Sequence, residues 1–265
     1  MSSRRGDRRE IELVVHPTCK SSRVLLLEAE RAGLLEKIEV RVALRAEDFI
    51  SSRALSVPWL LLRGEPAAAD PMGLEELSAA VSGEPLSLER DPLEALIETV
   101  AHSSFISAQV VLRGSLEPAI NSDLVAAAVR APLTGISPVE VLEELSRRER
   151  ALYEEHLEKL TRALAVSFVR ETWWASDGSL TSEALRRIAD PLVVGAWLIG
   201  KAGIGRVGLP SLPRPPKREL EMIIEFIERN ASGLISRVER EQLETLGDEH
   251  YRDLLNSLMA RAQSR

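Results

Sequence analysis

The sequence predicts an α/β domain over residues 10–82 followed by a larger all-helical domain over residues 83–265. Three observations predict this arrangement. Two short apolar runs flank one helix-like run between residues 11 and 44. A proline-led apolar run and an alanine run follow before residue 82. Beyond residue 92, apolar positions recur only at three and four.

Residues 11–15, IELVV, form a short β-branched run of the kind that makes a buried strand. Residues 21–32 place Val24, Leu25, Leu26 and Leu27 among charged residues and close at Gly33, a helix pattern with its usual terminator. Residues 39–44 alternate as a second strand, so the opening is a β-α-β unit whose two strands run parallel. Residues 57–62, VPWLLL, predict a third strand, with Pro58 at its start, where a missing amide donor is tolerated. Residues 63–66 read as a turn, 67–70 as a fourth short strand and 71–81 as a helix, which completes a β-β-α half. Residues 82–85, SGEP, read as the linker.

Helices are expected at residues 93–111, 123–130, 138–169, 182–189, 191–201, 218–230 and 239–260. Asp190 suits an N-cap with Pro191 in the first helical position. Residues 210–216, PSLPRPP, exclude helix interior and predict an extended connector.

Composition bounds the function. With 45% hydrophobic and 28% charged residues the chain has the make-up of a soluble globule. A net charge of -7 argues against a broad nucleic-acid footprint. No apolar run reaches the roughly 18 to 20 residues that cross a membrane. The start, MSSRRGDRRE, lacks the apolar centre of a secretory signal and reads as a frayed tail. One cysteine forms no internal disulfide and no Cys-rich zinc site, which fits a reducing cytoplasm.

That cysteine is the first functional candidate. Cys19 either opens a Cys-x-x-Ser motif, CKSS, or closes a His-x-x-Cys motif, HPTC. The strand ending at Val15 needs connecting residues before the helix, and His16-Pro17-Thr18 supplies them only in the first alignment, which puts Cys19 at the helix start. There, unpaired amides and the positive end of the macrodipole lower a thiol pKa from about 8.5 toward neutrality. Lys20 and Arg23 add positive charge, and Ser21 and Ser22 add hydrogen-bond donors.

The segment PTCKSSRVLLLEAERAGL resembles the active-site strand-turn-helix of glutaredoxins, and SVPWLLLRGEPAAAD resembles their later Val-Pro strand, turn and acidic loop. The two segments occur in the family's order and cover roughly residues 10–80, which implies a thioredoxin-like fold. The resemblance implies that Pro58 is cis beside Cys19, that the Val57 backbone holds a thiol substrate, and that Asp70 binds the free end of a glutathione-like ligand. Ala67 and Ala68 stand where the family has glycines, and Ser22 stands where it has a resolving cysteine, so an intramolecular disulfide step is excluded. A thioredoxin-like domain before a helical domain resembles the glutathione transferase architecture, and LRRIADPLVVGAWLIGKAGI looks like the segment opening that family's core helix, with Arg187 in place of a capping Ser or Thr. Cys19 to Arg23 also matches the Cys-x-x-Ser-Arg core of arsenate reductases that resemble glutaredoxins, without a downstream arginine to complete their oxyanion site.

Together these imply a thiol-dependent transferase or a monothiol oxidoreductase. Cys19 is the catalytic thiol, Thr18, Lys20, Ser22, Arg23, Val57, Pro58 and Asp70 bind substrate, and glutathione or another small thiol resolves a mixed disulfide. No metal, nucleic acid or membrane is expected, and the transferase resemblance leaves a homodimer open. The alternative is a non-enzymatic ligand- or protein-binding module with a vestigial cysteine. A third reading, an iron-sulfur cluster held by one cysteine per subunit, needs an open approach that a docked helical domain obstructs. The cleft is expected to be roofed by helices around residues 93–115 and 165–200.

The weaker signals have plain readings. Gly203 to Gly208 spells a dinucleotide fingerprint, but a helix precedes it where a strand is required, so it reads as a glycine-rich turn. His102, His156 and His250 show no metal-ligand spacing, and His156 in LYEEHLEKL reads as solvated. Adjacent Trp173 and Trp174 point in different directions from a helix, so one of them is expected to be exposed or to cap a groove, with core packing favoured over ligand stacking.

Overall fold

Residues 10–205 and 216–263 are described by the computed structural model. The amino-terminal tail, Arg206 to Gly208 of the glycine-rich stretch and nearly all of the proline connector lie outside the described residues. The first part holds β1 (Ile11–Val15), α1 (Lys20–Arg31), β2 (Glu39–Val42), α2 (Ala46–Ser52), β3 (Trp59–Leu62), β4 (Glu65–Ala69) and α3 (Leu74–Ser82). The strands form one mixed sheet in the order β2-β1-β3-β4. β1 and β2 pair in parallel, while β1 with β3 and β3 with β4 pair antiparallel.

Side chains alternate across this sheet, and both faces are covered. Leu13, Val15 and Leu60 share a core with Leu25, Leu26 and Leu77 from α1 and α3. Val14, Trp59, Leu61 and Ala69 point the other way, into a core with Leu96, Ile97 and Val125 of the later helices. A strand buried on both faces reads as a continuous apolar run, which is why IELVV and WLLL scarcely alternate.

The helical part comprises α4 (Pro92–His102), α5 (Ser104–Arg113), α6 (Ser122–Ala128), α7 (Ala131–Thr134), α8 (Pro138–Ala175), α9 (Ser182–Ile188), α10 (Pro191–Gly205), α11 (Lys217–Leu246) and α12 (Glu249–Gln263). The longest, α8, packs against α4, α5 and α11. The chain then returns: Tyr251, Leu255 and Leu258 of α12 join the core under β1 and α1. Asp190 Oδ1 accepts from the amides of Leu192 and Val193 at 2.8 and 3.1 Å, so α10 starts with the expected cap.

Several expectations are corrected. Residues 93–111 form two helices bent by 101°, because Ser103 caps a new helix through Ile106 N and donates to the Leu55 carbonyl. Residues 218–230 and 239–260 are not separated by a loop, since Ala231, Leu234, Ile235 and Val238 continue one buried stripe and α11 breaks only at Gly247. A Cβ on Gly247 would lie 2.5 Å from the Leu243 carbonyl oxygen, so only glycine ends the helix this way. The turn after β3 is just Arg63-Gly64, both with positive φ (55° and 83°), the geometry of a tight hairpin. β4 therefore starts at Glu65, and Pro66 is tolerated on this edge strand beside a register shift. The helix expected over residues 71–81 begins at Leu74, and α2 has no counterpart in the sequence reading.

Among the described residues no single helix is long and apolar enough to cross a membrane. The bent pair α4 and α5 passes on composition together, but both are buried in the core.

Candidate functional site

The turn His16-Pro17-Thr18 carries the chain from β1 to α1 and sets Cys19 as the N-cap of α1. Its Sγ accepts from Ser22 N at 3.5 Å and donates to the Val57 carbonyl oxygen at 3.4 Å. Val57 precedes a cis peptide to Pro58, and a second cis bond joins Asp70 to Pro71.

Cys19 lines a cleft of about 880 Å³ between the sheet and the helices. Thr18, Lys20, Val57 and Asp70 line it too, and the far wall comes from the end of α4, the start of α5, and α8, α10 and α11. Three other expected residues do not line it. Ser22 is fully buried and accepts from His16 N at 3.3 Å, holding the turn. Pro58 is buried just before β3, where its carbonyl accepts from Asp70 N at 3.0 Å. Arg23 is turned to Asp248, at 2.9 Å through Nε and 2.5 Å through Nη2.

The surroundings of Cys19 oppose the expected low thiol pKa. Burial pushes the Cys19 thiol up, the Ser22 side chain and the Ser22 and Ser21 amides oppose this, and the Asp70 carboxylate adds to it. The two local cations do little for the thiol, because Arg23 is neutralised by Asp248 and Lys20 lies half-exposed 3.9 Å from Glu244. The resting group is a protonated thiol that donates to Val57.

Asp70 is likewise engaged: its Oδ2 lies 2.7 Å from His102 Nδ1. The side-chain hydrogen bond to Asp70 raises the His102 pKa against the opposing effect of burial. His16 differs, since burial first and Lys201 second lower its pKa. Its Nδ1 accepts from Thr18 N at 3.3 Å and contacts Thr18 Oγ1 at 3.0 Å, so the neutral ring carries its proton on Nε2.

Sequence reasoning missed several participants. Gln242, fully buried on α11, donates to the Thr18 carbonyl at 3.4 Å and accepts from Trp174 Nε1 at 3.2 Å, tying the Cys19 turn to the opposite wall. Trp174 is the tryptophan at the groove, while Trp173 is buried. Phe49 of α2 meets His16 and Phe105. The apolar period of α11 marks its buried stripe, but its polar face gives no local sign of what it faces.

The cleft is cationic in an anionic chain, with seven Lys and Arg against four carboxylates in its lining. Every one of those carboxylates has a partner. Glu98 pairs with Lys159, Glu171 with Lys201, Glu241 with Arg170 at 2.7 Å and Asp70 with His102. Among the described residues Arg237 and Arg240 make no ion pair.

Away from the cleft, His156 is mostly covered rather than solvated. Its Nε2 is buried 3.7 Å from Glu94, and with Glu155 these residues bring three ligand-type atoms within 4.8 Å of one another. Both carboxylates are exposed, so the grouping needs no ion to explain it.

Compared with protein-family models, curated proteins and solved structures, the chain matches none.

Proposed function

We propose that the chain is a thiol-dependent transferase or monothiol oxidoreductase with a thioredoxin-like sheet and a glutathione-transferase-like arrangement of helices, acting through Cys19. The observation that carries this reading is the placement of Cys19 Sγ at a helix N-cap on a cleft wall, 3.4 Å from the Val57 carbonyl. A cleft between two layers suits a small ligand, and a thiol in its wall supplies a nucleophile for it.

The reaction balances without a second protein cysteine. The Cys19 proton leaves to solvent, and the thiolate attacks the small-thiol sulfur of a mixed disulfide. The S–S bond breaks, and the other half departs as a thiolate that takes up a proton. A second small thiol then attacks the Cys19 adduct, releasing the symmetrical small-thiol disulfide and restoring Cys19.

A second reading is favoured by the raised thiol pKa, a binding module in which the protonated Cys19 only donates a hydrogen bond. Reduction of the glutathione–2-mercaptoethanol mixed disulfide by glutathione, followed in a coupled assay, separates them. Turnover that is lost in Cys19→Ser supports the first reading. A rate equal to that of Cys19→Ser, with glutathione binding unchanged, supports the second.

A further inference from the structure

We infer that the substrate filling the helical half of this cleft is an acid, a small molecule carrying a carboxylate or phosphate that is held by Arg237 and Arg240. The inference deepens the thiol-dependent reading and rests on it for the first substrate, but the anion contact itself does not involve Cys19.

The lining carboxylates are each already paired with a cation, so they draw a ligand's ammonium group less than the unpaired arginines draw an anion. Asp70 is the instructive case, because His102 occupies the carboxylate that would hold an amino-acid-like free end. The cations are in surplus instead. Arg237 and Arg240, both exposed where they line the cleft, sit three residues apart on one helix, where like charges are neighbours and repel, a repulsion that a bound anion relieves. Arginine also presents the fork that takes carboxylate or phosphate through two hydrogen bonds.

Arg170 is already committed to Glu241 through Nη2 and does not serve the anion. Trp174 and Phe226 line the same region and offer apolar surface for the body of the molecule. The whole chain carries a net charge of -7, so general surface charge does not produce this surplus.

The test titrates the Cys19→Ser protein with three probes that share one body and differ in head group: 1-naphthoate, 1-naphthamide and 1-naphthylmethylammonium. Naphthoate is expected to bind about tenfold tighter than the amide, a difference of about 1.4 kcal/mol, and the ammonium weakest. The preference should fall away in Arg237→Gln/Arg240→Gln and persist in Arg147→Gln/Arg148→Gln, which removes the same charge from an exposed stretch of α8 whose residues do not line the cleft. Three probes binding alike, none binding to a folded protein, a preference that survives the α11 double variant, or one lost equally in the α8 control would each overturn the proposal. With Cys19 absent from the titrated protein, failure of the thiol chemistry leaves these results unaffected.

Discussion

Asp70 Oδ2 lies 2.7 Å from His102 Nδ1, so the end of β4 and the end of α4 are joined at the cleft. The contact has a definite pH sign. The folded pKa of His102 is raised above the unfolded value of about 6.5, so its stabilisation is fully present below that value and is lost as pH rises through the folded pKa. The His102 side chain is 41% exposed, which limits the effect to about 1 kcal/mol or less. Urea melts should show wild type more stable than His102→Gln at pH 5.5 and nearly equal to it at pH 9. A gap that widens with pH would show that the pair is not ionic.

Cys19 itself should titrate above an ordinary thiol. Iodoacetamide labelling of the native protein is expected to be slow at pH 7 and to climb through the alkaline range, with a midpoint above about 8.5. Asp70→Asn, which removes one of the two causes of the raised value, should move that midpoint down. A plateau already reached at neutral pH would restore the activated thiol that the sequence suggests.

The β-α-β opening, the N-cap position of Cys19 and the cap at Asp190 follow from local pattern, because strand period, helix period and capping are decided within a few residues. The ionisation of Cys19 is not a local property, because it depends on burial and on Arg23 finding Asp248, which lies 225 residues away. The same distance hid Gln242 and Arg237 as parts of the cleft. The break at Ser103 is not visible in the local pattern because α4 and α5 keep apolar residues at compatible spacing, and Ser103 fixes the bend by capping α5 and donating to the distant Leu55 carbonyl.

Glu76 and Arg130 form the most enclosed ion pair in the fold around the cleft, 2.6 Å apart with side chains only 10% and 12% exposed. Arg130 also donates to the Pro71 and Ala128 carbonyls, and Glu76 accepts from Gly73 N, so the pair fixes the start of α3 against α6 and α7. Arg130→Ala leaves the carboxylate buried and alone and should cost about 3–5 kcal/mol in urea unfolding. Glu76→Gln, which keeps a hydrogen-bonding group, should cost clearly less.

Gly247→Ala tests the junction that returns α12 to the sheet. Its Cβ would collide with the Leu243 carbonyl, so the turn must shift and Tyr251, Leu255 and Leu258 lose register with the core. A loss of about 1–3 kcal/mol is expected, together with faster proteolysis after residue 247. Unchanged stability would mean that α12 contributes little to the fold.

The most direct measurement of the central claim is the intact mass of the protein after incubation with oxidised glutathione at pH 8.5. One glutathione should add to the native wild-type protein, be released by reduced glutathione, and be absent in Cys19→Ser. A native protein that takes up none, while the urea-unfolded chain takes up one, would contradict a cleft in which Cys19 meets a small thiol.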